Sequence, residues 1–324
     1  MRRWLTFAAA VALTAGLTAQ ANAQAKYPER PVRIIVPFGA GGLADNSIRL
    51  VADKLAQRLG QQFVIENEPG GGGIQAAADL AKQNPDGYTL LVVSNGTAIS
   101  EALFEKLPYN AERDFAPIST VAWFDMMFVA SAKAPYKTMQ AAIAEAKAKP
   151  SEMNVGTINP GSTQNFSAEL FRALTHVNVT LVPYRTTPEI VVALLRGDLG
   201  MAVDAYTALK GQVDSGEITP LAVTGIKRNP AMPNVPTLQE AGVSGYEVSG
   251  WNAIFTKVGT PPAIIDQLNK ELVAITQMPD IKQKYADLGI EARSTTPDEL
   301  GKRMKDDVAK WSDVIAKNNI PKMK

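Results

Sequence analysis

The residues of this 324-residue chain that could do chemistry are small and polar rather than nucleophilic. Gly39, Ala40, Gly41 and Gly42 lie in "RIIVPFGAGGLADN", between an apolar run that ends at Phe38 and a helical pattern. Glycines let backbone approach a ligand closely, and the first N–H groups of a helix are unpaired donors carrying partial positive charge. Such a turn favours an anion, a carboxylate as well as a phosphate. "SNGT", with Ser94 and Thr97, and "PGST", with Gly161, Ser162 and Thr163, repeat the chemistry. Three of these turns on one edge of a fold would form a polar anion cradle. Asp45, at the helix start, is expected to cap the same N–H groups.

The first loop also fits a different anion. Gly39, Gly41 and Ala44 satisfy G-x-G-x-x-G/A between strand and helix, and Glu66 ends the next strand where a ribose-binding acid is expected. A dinucleotide-dependent oxidoreductase therefore stands as an alternative. A second glycine loop directly after Glu66, Gly70 to Gly73, counts against it, as does the lack of redox residues. The chain has no cysteine and a single histidine, His176, near the end of the helical segment "AELFRALTH". This removes disulfides, thiolate catalysis and Cys-built zinc sites, and leaves Ser-His-Asp or His-based metal chemistry resting on one residue. No cofactor and no enzyme activity are expected.

The compartment and the partners follow from charge. "MRRWLTFAAAVALTAGLTAQANAQ" has a basic start, an uncharged apolar core and a small-residue cleavage pattern at Ala21-Asn22-Ala23, the plan of a signal peptide over residues 1–23. Its core is shorter than the roughly 20 apolar residues that cross a bilayer. Export to the periplasm, without membrane insertion after cleavage, is the expectation. Lys and Arg number 33 and Asp and Glu 32, so loss of Arg2 and Arg3 turns the balance from +1 to −1. That charge offers no footprint for nucleic acid.

The elements that position the loops alternate regularly. "VRIIVP", "QFVIE" and "YTLLVV" are short apolar runs separated by helical patterns, which is how parallel strands covered on both faces read. "MNVGTI", "VTLVPY" and "LGMAVDA" repeat the rhythm in the second half. "FAPISTVAWFDMMFVAS" (115–131) is long enough to pass between two units, and "PLAVTG" (220–225) could carry the chain back. The expected fold is α/β with two lobes: residues 24–122 with 227–324, and residues 123–226, each a mostly parallel sheet flanked by helices. The chain crosses twice near 121–130 and 220–226, and the glycine loops face one another across a cleft at the carboxyl ends of the strands.

From Tyr27 onward a series of segments occurs in order: "YPERPVRIIVPFGAGGLAD", "VIENEPGGGG", "NPDGYTLLVVS", "LPYNAERDFAPIST", "VPYRTTPEIVVALLRGDL", "LAVTGIKRNPAMPNVPTLQEAG" and "GTPPAIIDQLN". Together they resemble the Bug receptors, the extracytoplasmic solute receptors of tripartite tricarboxylate transporters. The resemblance implies a monomeric periplasmic flytrap that captures a small organic acid, a mono- or dicarboxylate, and hands it to membrane transporter subunits. It also implies that backbone amides, small hydroxyls and ordered waters, rather than a buried Arg, hold the carboxylate. Carried onto this chain, the contacts would come from Phe38, Gly39, Ala40, Gly41, Gly42, Ser94 and Thr97 in one lobe. Gly161, Ser162 and Thr163 would supply them in the other, where Asp204 would also face the cleft, serving a polar partner or a ligand amine because a bare carboxylate repels an anion. The family usually shows "GSxxH" where this chain has "GSTQN", so Asn165, a further expected ligand contact, stands in place of His, keeping a donor and an acceptor without a cationic form. A sensory receptor for a two-component kinase would share the same fold and ligand chemistry.

Overall fold

A computed structural model describes residues 27–70 and 73–324. The expected signal peptide, residues 1–23, lies outside the described residues. The first unit runs β1 (Val32–Val36), α1 (Leu43–Leu59), β2 (Phe63–Asn67), α2 (Ile74–Lys82), β3 (Thr89–Ser94) and α3 (Asn95–Leu103). Within α1 the buried residues Ile48, Val51, Ala52 and Leu55 recur at steps of three and four. Gly60 ends the helix with φ 74°, a left-handed cap that glycine adopts without a Cβ penalty. β1 pairs in parallel with β2 and β3; β1 and β3 are largely buried, whereas β2, at the edge of the sheet, alternates and exposes Val64 and Glu66 rather than being covered on both faces.

After the short α4 (Ala111–Asp114), β4 (Phe115–Ser131) is a single 17-residue strand. The second unit continues with α5 (Met139–Ala148), β5 (Asn154–Ile158), α6 (Thr163–Thr175), β6 (Thr180–Tyr184), α7 (Thr187–Arg196), β7 (Met201–Ala205), α8 (Tyr206–Asp214) and β8 (Ile218–Val223). Here β5 pairs in parallel with β6 and β7. The chain returns through β9 (Ser249–Lys257), α9 (Pro262–Gln277), α10 (Pro279–Asp287), β10 (Ile290–Glu291) and α11 (Pro297–Lys317).

The strands form one continuous curled path, β2-β1-β3-β9-β4-β7-β5-β6. Each lobe thus keeps three parallel strands and closes them with antiparallel ones. β4 is common to both: Phe115 to Asp125 lie beside β9, and Met126 to Ser131 lie beside β7 and β8. The second crossing is pinned to the first by Thr224. Its N–H donates to the Met126 carbonyl (2.9 Å), its Oγ1 accepts from the Met126 N–H (2.8 Å), and the same hydroxyl donates to the Val248 carbonyl (2.7 Å). The lobes also pack directly: the rings of Phe166 in α6 and Trp311 in α11 meet at 5.0 Å, and the Tyr246 hydroxyl donates to the Ser167 carbonyl.

Candidate functional site

The turn after β1 is held from behind. Gly42 is the N-cap of α1 and offers no side chain to the first helical N–H groups. Asp45 does not cap them either: its Oδ2 accepts from the Gly41 N–H (3.0 Å) and from Arg49 Nε (3.0 Å), and its Oδ1 accepts from Asn67 Nδ2 (3.0 Å). Asn67 Nδ2 also donates to the Phe38 carbonyl. Burial pushes the Asp45 carboxyl up, but Arg49, the Gly41 N–H and Asn67 outweigh it and hold the group below its ordinary value. The carboxylate shapes the loop and leaves the helix donors open.

Ser94 caps α3, its Oγ accepting from the Gly96 N–H (3.1 Å), and Ser162 caps α6 by accepting from the Asn165 N–H (3.1 Å). These two turns meet across the lobes. Thr163 Oγ1 donates to Asn95 Oδ1 (2.8 Å), Ser100 Oγ donates to the Gly161 carbonyl, and a Cβ on Gly161 would lie 2.3 Å from Ser100 Oγ. Gly161 also has φ 85°, so both its space and its backbone demand glycine.

A further turn, after β6, completes the enclosure. Thr186 and Glu189 form a capping box at the start of α7, with Pro188 beside them in the first turn. A Cβ on Gly39 would lie 2.5 Å from Thr186 Cγ2, so the first loop touches the opposite lobe through glycine's missing side chain.

Between these turns lies a cavity of about 30 Å³. From the first lobe Phe38, Gly39, Gly42, Leu43, Ala44, Ser94 and Asn252 reach it; from the second come Ile158, Thr163, Gln164, Arg185, Thr186 and Thr187; Phe124 and Met126 of β4 floor it. Five of the residues singled out from sequence are therefore together here: Phe38, Gly39, Gly42, Ser94 and Thr163. Ala40 and Gly41 are exposed on the outside of their loop, and Thr97 is partly buried away from the cavity wall. Gly161 and Ser162 support the wall without lining it.

Two expected contacts have other surroundings. Asp204 is 1% exposed and stands behind the wall, where it accepts from Thr187 Oγ1 (2.7 Å), Gln164 Nε2 (3.0 Å) and the Ala205 N–H (2.7 Å). Burial pushes its carboxyl up and the three donors pull it back, with burial prevailing. Its role in this arrangement is to position Gln164 and Thr187. Asn165 donates to Thr157 Oγ1 (3.2 Å) and borders a separate cavity of about 510 Å³ beside Ile320 to Lys324. Sequence reasoning passed over Gln164, Arg185, Thr186, Thr187, Phe124, Met126 and Asn252. The "TTPE" cap was a readable signal for one group of these; nothing local marks Asn252.

Chemically, the walls supply helix N-termini, hydroxyls, amides and one cation. Among the described residues no cluster of three His, Asp or Glu could hold a metal, and no helix is long and apolar enough to cross a membrane. The model of the tripartite tricarboxylate transporter family receptor matches residues 47–320. The chain belongs to that family. The receptor is 32% identical to BugT of Bordetella pertussis over 317 residues, covering 97% of each chain. It resembles the structure of R. palustris Rpa4515 with adipate at a TM-score of 0.88 and 32% identity, covering 92% of this chain and 100% of that one. MatC from Rhodopseudomonas palustris with bound malate gives 0.85 and 30%, covering 89% and 100%. The periplasmic binding protein BugD gives 0.88 and 29%, covering 92% and 100%. The receptor accordingly has the two-lobe binding-protein fold and is a binding protein rather than an enzyme.

Proposed function

We propose that this receptor captures a small carboxylate in the periplasm and delivers it as a monomer to the membrane subunits of a tripartite transporter. The observation that carries the reading is the cavity between the lobes, rimmed by the N-terminal turns of α1, α3, α6 and α7 with no side-chain carboxylate on its wall. Such ends favour negative charge, and a neutral or cationic ligand would gain nothing from them. The adipate and malate bound by two structural relatives lend support. Export through residues 1–23 accounts for the compartment.

Division into lobes at 24–122 with 227–324, and 123–226, is supported by the change of partners in β4 between Asp125 and Met126 and by the Thr224 crossing. The proposed ligand contacts are Phe38, Gly39, Gly42, Ser94 and Thr163, with Ala40, Gly41, Thr97, Gly161, Ser162, Asn165 and Asp204 in supporting positions. A cavity of about 30 Å³ has room for only about two or three waters. A ligand enters by parting of the lobes, and it favours the closed form only as far as it binds that form better.

The test is thermal unfolding of the mature protein against a panel of carboxylates, with NAD and a neutral sugar as comparators. A bound ligand at 100 times its dissociation constant adds about 2.7 kcal/mol. A shift with NAD or sugar and none with any carboxylate would sink the proposal. Ser162→Phe, which fills the turn at the lobe contact, is expected to abolish the carboxylate shift while a cooperative transition remains.

A further inference from the structure

The hydroxyl of Thr187 stands at the cleft with its proton already committed. Thr187 opens α7, is buried and lines the cavity. Its Oγ1 donates to Asp204 Oδ2 at 2.7 Å, and an ionised carboxylate only accepts, so what the oxygen offers elsewhere is its lone pairs. That oxygen lies 3.9 Å from the place a Cβ would take on Gly42, and so it faces the N-cap of α1 across the lobes.

The neighbouring buried groups of the second lobe have the same polarity. Thr163 Oγ1 gives its proton to Asn95 Oδ1 (2.8 Å). Gln164 Nε2 donates to Asp204 Oδ1 (3.0 Å), which leaves Gln164 Oε1 without a donor among the described residues. The first lobe is the reverse. Gly42 leaves the first N–H groups of α1 without a side-chain cap, whereas Ser94 and Ser162 each occupy a donor of their own helices. Asn252 on β9 adds to the donors: it is 1% exposed, lines the cavity, and its Nδ2 is buried without an acceptor among the described residues. Buried donors therefore gather on one side of the cavity and buried lone pairs on the other, while the Arg185 side of the wall is exposed to solvent.

We propose that Thr187 is a specificity-determining residue of this receptor and Asp204 its positioning residue. The preferred ligand is a hydroxycarboxylate, its carboxylate on the first-lobe donors and its hydroxyl donating to Thr187 Oγ1. An acid without the hydroxyl sets a methylene against buried lone pairs, and a site built to bond a hydroxyl rejects the analogue that lacks it. An ammonium group is disfavoured, because Asp204 is sealed behind the wall and the acceptors a ligand meets there are neutral. This inference deepens the reading of the protein as a carboxylate receptor and rests on it.

The experiment is calorimetric titration of the mature protein with lactate against propionate, 3-hydroxybutyrate against butyrate, and malate against succinate. Alanine, 3-aminobutyrate and aspartate serve as the ammonium counterparts. At least one hydroxy acid is expected to bind about tenfold more tightly than its parent acid and its amino counterpart. Thr187→Val keeps the shape, removes the oxygen and is expected to bring the ratio of hydroxy to parent acid close to one, whereas Thr187→Ser is expected to keep it. Should the Val variant fail to fold, Asp204→Asn carries the same test. Oδ1 of the present carboxylate accepts from Gln164 Nε2 and the Ala205 N–H, so the amide oxygen takes that place and its Nδ2 faces Thr187. The Thr187 proton then turns to the cavity, and the ratio again falls close to one. Equal binding of hydroxy and parent acids by the unaltered protein, a ratio unmoved by the variants, or tighter binding of an amino acid than of its hydroxy acid overturns the assignment and leaves the receptor reading intact. Binding of none of these acids overturns both.

Discussion

A single buried carboxylate, Asp45, determines whether the first loop can do its work. It ties together Gly41, Arg49 and Asn67, and so keeps the α1 donors uncapped. Because its folded-state pKa is depressed, the stability it lends is complete above the ordinary value of 3.8 and is lost as pH falls through the folded value. Asp45→Asn is expected to lower stability at neutral pH by about 1 kcal/mol. Urea midpoints at pH 7 and pH 3 should show the gap between the two proteins closing on acidification; a gap independent of pH would contradict the assignment. Asp204 makes a parallel case on the other lobe. Its replacement by Ala leaves Thr187 Oγ1, Gln164 Nε2 and the Ala205 N–H without their acceptor, with an expected loss of about 1–3 kcal/mol. Ligand affinity should fall too, because both side chains line the cavity, and titration of a panel carboxylate against the variant measures that.

At the scale of elements, strand-to-helix turns oppose one another in pairs, and the fit of one pair is testable. Gly39→Ala places a methyl against Thr186 Cγ2, so the closed arrangement is disfavoured while each lobe remains intact. Overpacking of this kind costs about 1–3 kcal/mol, which corresponds to a ligand affinity lower by about fivefold to a hundredfold. Thr186→Ser removes the offending methyl and keeps the capping hydroxyl, so the double variant should regain affinity; additive losses would show that the two residues do not meet. The β-α rhythm, the long crossing strand and the glycine turns were all legible in the sequence, because periodicity and turn chemistry are local. The "TTPE" turn was legible only as an ordinary helix cap, since its role depends on Gly39 from the other lobe. Asn252 was not legible at all: its amide becomes an orphan only when β3 and β4, distant in the chain, flank β9 and shut out water. Asp204 was legible as a residue near the cleft, but whether it faces ligand or lies behind Gln164 and Thr187 is decided by packing.

On the scale of the whole molecule, the proposed closure would be a movement of two α/β units that share β4. Small-angle scattering should show the radius of gyration falling when a bound carboxylate is added, and falling less in Gly39→Ala at equal ligand concentration. The shared strand has another consequence. Residues Phe115 to Asp125 complete one hydrogen-bonded ladder and Met126 to Ser131 complete the next, so neither lobe can melt without stripping its neighbour of a strand. Two lobes of this size joined by flexible linkers would absorb heat in two separate events. Here the lobes share one thermodynamic fate: differential scanning calorimetry should give a single peak whose calorimetric and van't Hoff enthalpies agree.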